Sequence, residues 1–520
     1  MKAFSRKEIQ SHNHDTLCAL AVEQSQLLVV ASSLIKKLER VVESLTTELG
    51  AKNQKTLFAA ESLEKMRHLH FGRKSEKRDY EDDSPLFSLF AQLSAAINND
   101  ADTKTPPPKP PKPPVKRGRT PQPKLATREV VHTVADEAAQ ARGLKPFDGQ
   151  FEESTLITVV PSRLVIETHR RQKYFQWDPE TATHKIVAAD GPLKLKEASR
   201  YSIEFGVEVG LSKYRYHLPL DRQVHLLGEQ GLNVSAQVLF EQVETIAWYL
   251  APTLLRGIED KIKKAPVNEA DDTVWKNLDS LKKRTKSSFF LWGVRNPDAT
   301  LFSVYDARSQ KVAAEFLSGL EGVLLTDGHH SFRPLGTETL KLANDWCHVR
   351  RKYEAAEKTF TAEAGYVLDK IRLLFAIEDQ VKGQPPDKIR QIRQAFSKPV
   401  TDEIRTFLDG QHALPQSSLG KAHRYTDRLW EGLTVFLDNP MVPIHTNGIE
   451  GALRQPAVGR RNHFGSKTLE TAQVAAVWYS VIETCRQHQV PTREFLTTTL
   501  RAILSKQPVV MPWDWPKTPH

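Results

Sequence analysis

The chain has 520 residues, 39% of them hydrophobic, and carries 73 Lys and Arg against 63 Asp and Glu, a net charge of +10. That length allows several domains and at least one sizeable core, and the positive balance favours a polyanionic partner. Its three cysteines, Cys18, Cys347 and Cys485, form no C-x-x-C pair, which excludes a disulfide framework and a thiolate zinc site; without a leader or a run of roughly 18 apolar residues, a soluble cytoplasmic protein, nucleoid-associated when bound to DNA, is expected.

In chain order, Leu27, Ala31, Leu34, Leu38, Val41, Leu45 and Leu49 recur at spacings of mostly three and four before Gly50. This predicts an amphipathic helix able to form a short coiled coil and self-associate. Residues 1–80 are read as this helical, DNA-binding region, with the basic cluster "FGRKSEK" near its end. Over 81–125 the chain becomes a linker, "TPPPKPPKPPVKRGRTPQPK", extended because proline lacks an amide donor and fixes φ. Its Lys116, Arg117 and Arg119 suit DNA binding, as in basic arms that enter an A/T-rich minor groove. Residues 126–200 are a small β segment, with "STLITVVPSRLVIETHRRQKYFQW" read as two strands. Over 201–262 a helix, a glycine turn and a second helix N-capped by Ser235 have helix-turn-helix spacing. The second helix carries Glu241 and Glu244 and no cation through Leu250, which suits packing better than facing phosphates.

From 263 to 357, "VNEADDTVW", "SFFLWGVRN" and "TLFSVYDAR" read as antiparallel strands. A helix follows, with Val312, Phe316, Leu317 and Leu320 at helical spacing, and "GVLLT" is a fourth strand that runs into Asp327. Taken alone, Asp327-Gly328 is ordinary turn chemistry. "LKLANDWCHVRRKYEAAEK" adds a fifth strand and a helix. This order is the start of a ribonuclease-H-like (retroviral-integrase-like) core, in which Asp271 on the first strand and Asp327 after the fourth lie side by side. About 120 residues then separate Asp327 from Glu450, and 358–440 reads as an all-helical insertion. The second part of the core, 441–486, holds "HTNGIEGALRQPAVGRRNHF", which sets Asn447, Glu450 and Arg454 on one helical face. A C-terminal segment, 487–520, completes a multidomain α+β chain.

Three carboxylates gathered together repel unless hard divalent cations with oxygen ligands neutralise them, so Mg2+, or Mn2+ in its place, is expected and zinc is not. A pair of such ions serves phosphodiester cleavage and strand transfer. Arg350, Arg351 and Lys352 on one side, with Arg454, Arg460, Arg461 and Lys467 on the other, would hold the DNA backbone.

Together "FGRKSEK", "VPSRLVIETHRRQKY", "YHLPLDRQ", "ADDT", "LTDGHHSF", "CHVRRKY", "NGIEGALRQPAVGRRNHFGS" and "SVIETCRQHQVPTREFL" resemble the insertion-sequence-66 family of bacterial transposases along nearly the whole chain. The resemblance implies a DDE-type enzyme in which Asp271, Asp327 and Glu450 are the catalytic, metal-binding triad. Asp272, in the family's glutamate position, supports it, as does Asn447, and His348 and Arg351 contact DNA or anchor a helix. The partners it implies are double-stranded DNA, as the element's terminal inverted repeats and as target, a homo-oligomer on that DNA, and small accessory proteins of the element. Two departures stand out: the family's cysteine-rich zinc module lacks its cysteines here, and "HTN" replaces an acidic Asp-Asn-Asn, with His445 in place of an acid. The alternatives are a nuclease of the same fold and a domesticated, non-catalytic DNA-binding protein.

Overall fold

The computed structural model describes residues 164–516 apart from 179, 181–182, 280–287 and 412. The predicted coiled-coil helix, "FGRKSEK" and the linker bearing Lys116, Arg117 and Arg119 lie outside the described residues. Contacts divide the chain into two units. In the smaller, Asn98–Thr168, residues 164–168 are described, and they are exposed and without regular structure. Of the stretch read as two strands, residues 154–163 lie outside the described residues, 164–172 are irregular, with Val165 and Ile166 76% and 96% exposed, and its end forms a strand. In the larger unit the pairing comes later, between β1 (Lys173–Asp178) and β2 (Thr183–Ala188), antiparallel.

Four helices follow: α1 (Ile203–Tyr214), α2 (Leu220–Glu229), α3 (Ala236–Leu250) and α4 (Arg256–Lys263). Ser235 caps α3 by accepting from the amide of Val238, and a π-helical turn at Ala251–Leu255 joins α3 to α4 where Pro252 withholds an amide.

Beyond them lies a five-stranded sheet in the order β5-β4-β3-β6-β7, built from β3 (Val267–Trp275), β4 (Phe289–Arg295), β5 (Thr300–Tyr305), β6 (Gly322–Thr326) and β7 (Leu340–Asn344). The pairs β3/β4 and β4/β5 are antiparallel, and β3/β6 and β6/β7 are parallel. Between β5 and β6 sits α5 (Gln310–Phe316), shorter than its apolar spacing suggests, because Leu317 is already its C-cap. Leu317 and Leu320 are buried all the same.

Strand alternation distributes the sheet between two cores. In β6, Leu324 joins one core, while Val323 and Leu325 join another with Val267 of β3. That second core is filled by α6 (Trp346–Glu357), α7 (Thr361–Val381), α9 (Lys398–Gly410), α10 (Ser418–Arg428) and α11 (Trp430–Asp438), while α8 (Pro386–Ile392) packs its Ile392 with Ile377 and Val381 of α7 in a small cluster of its own. The chain closes with α12 (Asn447–His463), α13 (Leu469–Gln487) and α14 (Thr492–Leu504).

A bare strand edge is a liability, and α13 covers the edge of β5 with polar side chains. The amides of Thr300, Phe302 and Val304 donate to Thr484 Oγ1, Ser480 Oγ and Gln473 Oε1 at 3.2, 2.8 and 3.2 Å. This accounts for polar residues in the buried face of an otherwise apolar helix.

Candidate active site

Alternation along β3 puts Glu269, Asp271 and Thr273 on one face of the sheet and Asp272 on the other. The parallel register pairs Val267 with Val323 and Glu269 with Leu325; continued two residues, it sets Asp271 level with Asp327. Burial, and after it the charge of Asp327, pushes the Asp271 carboxyl up to about 7. Asp327 also makes the turn that its sequence suggests, its Oδ1 accepting from the amide of His329 at 2.8 Å. Gly328 has φ +73, and a Cβ there would come within 2.5 Å of Leu429, so the turn packs against the junction of α10 and α11. Tyr425 of α10 donates its phenol hydrogen to the Asp327 carbonyl at 2.5 Å.

On the same face α12 runs alongside β3. The amide of Ile449 donates to Glu269 Oε2 at 2.7 Å, and Arg460 donates to Thr273 Oγ1 at 2.9 Å and to the Val274 carbonyl. Four residues of strand span roughly 13 Å and eleven of helix roughly 16 Å, so the two elements keep step between these ties. Glycine at 448 permits the approach, since a Cβ there would lie 2.2 Å from Arg295 Nη1 and 2.5 Å from Glu269 Oε2. At the other end Phe464 (φ 66) and Gly465 (φ 115) turn the chain back. The Ser466 amide then donates to the Lys276 carbonyl, and its hydroxyl accepts from Trp275 Nε1, both at 3.1 Å.

Glu450 sits one residue beyond Ile449 and meets α6. His348 Nε2 is 3.8 Å from Glu450 Oε1, and Arg351 Nη2 is 3.5 Å from Oε2. The other imidazole nitrogen, Nδ1, lies 2.9 Å from Asp345 Oδ2. Burial works to lower the His348 imidazole, but the hydrogen bond and charge of Asp345, with the charge of Asp327, raise it above its usual value. Asp345 is the buried N-cap of α6: it also accepts from the Cys347 amide and from the Thr446 hydroxyl and amide, the hydroxyl at 2.6 Å. These hydrogen bonds outweigh its burial and hold its carboxyl below the usual range. The neighbouring Cys347 thiol is pushed up to about 12, chiefly by burial, and is no thiolate ligand.

The sequence-predicted acids are thus distributed as follows. Asp271 and Asp327 come together, and His348 stands between that pair and Glu450, feeling Asp327 on one side and touching Glu450 on the other. Among the described residues, the set with one ligand atom each within 4.8 Å of one another is Asp345, His348 and Glu450. Asp345 has its oxygens occupied by four donors, so within that set it orients rather than ligates. Asp272 is committed on the opposite face to Arg308, at 2.8 Å. Asn447 is exposed at the start of α12.

The predicted cations divide too. Arg350 pairs with Glu354 at 3.2 Å, Arg351 with Glu450, and Arg460 with β3. Lys352 lies 5.3 Å from the centroid of the Tyr425 ring, and Arg454, Arg461 and Lys467 are exposed. Two positioning residues, Asp345, buried, and Glu269, half-buried, escaped sequence reasoning. Asp345 carries the N-cap signal of an acid ahead of a helix; Glu269 had only its shared strand parity with Asp271.

The sheet and these residues define an α/β protein with carboxylates gathered where two adjacent strands and two helices meet. Residues 199–474 match the sequence profile described as Transposase IS66 family, and the chain belongs to that family. Membership supports a transposase-type function with DNA as partner. The chain is also similar to uncharacterized proteins of Sinorhizobium fredii. It is 25% identical to y4jD, covering 70% of this chain and 75% of that one, and 24% identical to y4qI, covering 70% and 71%. With y4hP it shares 28% identity over 58% of this chain and 60% of that one. Among the described residues no helix is long and apolar enough to cross a membrane.

Proposed function

We propose that the chain is a DDE-type DNA transposase with a ribonuclease-H-like core, cutting the ends of a bacterial insertion sequence and joining their 3′ ends to target DNA. The observation that carries this reading is the register of β3 and β6, which sets Asp271 level with Asp327 on a sheet beside α12, tied to β3 at Ile449, one residue before Glu450. Asp271, Asp327 and Glu450 are the proposed ligands of divalent cations, Mg2+ in the first place and Mn2+ as substitute.

The donor set fits such ions. All three are carboxylates, the hard oxygen donors that Mg2+ prefers. Asp271 is held partly protonated near neutral pH by burial and by Asp327, a repulsion that a bound cation relieves. When bound, a pair of ions would supply Lewis-acid activation of the attacking hydroxyl and stabilise the leaving oxygen.

The protein's own residues perform the positioning. Glu269 ties the first turn of α12 to β3, and Asp345 ties the start of α12 to α6 through Thr446. His348, oriented by Asp345, and Arg351 flank the Glu450 carboxylate, and Arg454, Arg461 and Lys467 offer exposed charge for the DNA backbone. Self-association on DNA and dependence on accessory proteins of the element belong to the same reading.

The test is incubation of purified protein with labelled element ends, Mg2+ and a plasmid target. Joined products support the transposase. Cut ends without joining would favour a nuclease of the same fold, and binding alone a domesticated DNA-binding protein.

A further inference from the structure

The helices inserted between α6 and α12 do more than pack: α10 reaches the strand end that carries Asp327. Tyr425 donates to the Asp327 carbonyl, and Leu429 fills the space over Gly328. Around the Tyr425 ring stand cations from separate parts of the chain. Lys352 Nζ of α6 is 5.3 Å from its centroid and Arg428 Cζ of α10 is 5.5 Å away. Arg333, in the short 3-10 turn Arg333–Leu335 after β6, acts electrostatically on both Tyr425 and Arg428.

Several helical arginines are matched by acids, as Arg405 is by Asp409 and Asp427 and Arg486 by Glu483. Around Tyr425 they are not. Among the described residues no carboxylate lies within ion-pair distance of Arg333, Lys352 or Arg428, and all three are exposed. Burial, then the charge of Arg333, holds the Arg428 guanidinium below its usual value, opposed by the Tyr425 phenol and by no carboxylate. Like charges brought together without a counterion raise the energy of the free protein and lower that of a complex with an anion. A phosphodiester chain is such an anion: guanidinium groups bind its phosphates through paired N–H donors, and an aromatic ring between them offers a face to a base or sugar.

We propose that Lys352 and Arg428, at the Tyr425 ring beside Asp327, form with Arg333 of the turn after β6 a binding site for backbone phosphates of the DNA strand that adjoins the reacting phosphodiester, so that the helical insertion is a DNA clamp. This rests on the transposase reading for the role of the strand, but not for the chemistry of phosphate recognition.

The test measures affinity for a short DNA duplex of mixed sequence as a function of salt, in EDTA, with the full chain. Arg333→Ala/Arg428→Ala should make the slope of log affinity against log salt shallower by about two units, close to one per lost phosphate contact. Arg333→Lys/Arg428→Lys should restore most of it. The control is Arg493→Ala/Arg501→Ala, which removes the same formal charge from α14, where these arginines pair with Glu208 and Glu204; its slope should match the parent's. An unchanged slope in the first double variant, or equal losses in both alanine doubles, would overturn the proposal. Strand joining by the parent chain, assayed with Mg2+ alongside, keeps the two readings apart. Failure to join with the slope effect intact would sink the transposase reading and leave the phosphate site standing.

Discussion

The amide of Ile449 donates to Glu269 Oε2 at 2.7 Å, and through this bond the helix that bears Glu450 is fastened to the strand that bears Asp271. Burial raises the Glu269 carboxyl above its usual range, while the Ile449 amide and Arg295 pull it back. Glu269→Ala should therefore cost about 2 kcal/mol of stability, the range for an acceptor lost to a buried donor. Strand joining should fall with it, and DNA affinity should change little. Glu269→Gln, which keeps an oxygen acceptor, should recover most of the stability. Thermal melts and joining assays on both variants decide this, and a Glu269→Ala chain that melts and joins like the parent would remove Glu269 from the positioning role.

Asp327→Asn, Asp271→Asn and Glu450→Gln should each lower cleavage and joining by orders of magnitude with DNA affinity near the parent's. Ligands of one metal site act as a unit, so a double variant should be little worse than a single one. Joining rates and affinities for the three singles and one double are the measurement. An Asp327→Asn protein that is folded and joins at the parent rate would leave Asp327 as a turn residue only.

The Asp271 carboxyl titrates at about 7 in the folded chain, with burial first and Asp327 second as causes, against about 3.9 in an unfolded one. Between those values the folded state binds the extra proton. The stability it contributes is fully present below the unfolded value and is lost as pH rises through about 7. In EDTA, melting temperature should drop as pH is raised from about 6 to about 8, and Asp271→Asn should flatten that part of the profile. Added Mg2+, taking the place of the proton, should stabilise more at the higher pH. A metal-free profile that is level over this range in the parent chain would contradict the assignment.

Two adjacent arginines near the end of α12 should behave differently. Arg460 donates to Thr273 and to the Val274 carbonyl, whereas Arg461 is exposed. Arg460→Ala should lower stability by about 1–2 kcal/mol with little effect on the salt dependence of DNA binding. Arg461→Ala should leave the melt unchanged and make the salt slope shallower by about one unit. The reverse pattern would exchange their roles.

Local pattern carried much of this protein. "VNEADDTVW" and "GVLLT" are strands with those boundaries because alternation and an Asp-Gly turn are properties of neighbouring residues, and Ser235 announces its helix for the same reason. Periodicity also has limits: residues 164–172 stay irregular, and α5 stops at Phe316, where Leu317 is already the C-cap. What only the tertiary structure decided is which polar groups meet across long separations. Glu269 looks like any strand glutamate until Ile449 arrives with a free helix-terminal amide, and Asp345 looks like a plain N-cap until Thr446 and His348 converge on it. Arg460, read as a DNA contact, has its donors taken up by β3, and Lys352 and Arg428 reach the same Tyr425 ring only when α10 packs against α6. A hydrogen bond or a charge pair depends on distance in space, and distance between residues some 180 positions apart is set by how apolar faces pack, which no local pattern of one segment encodes.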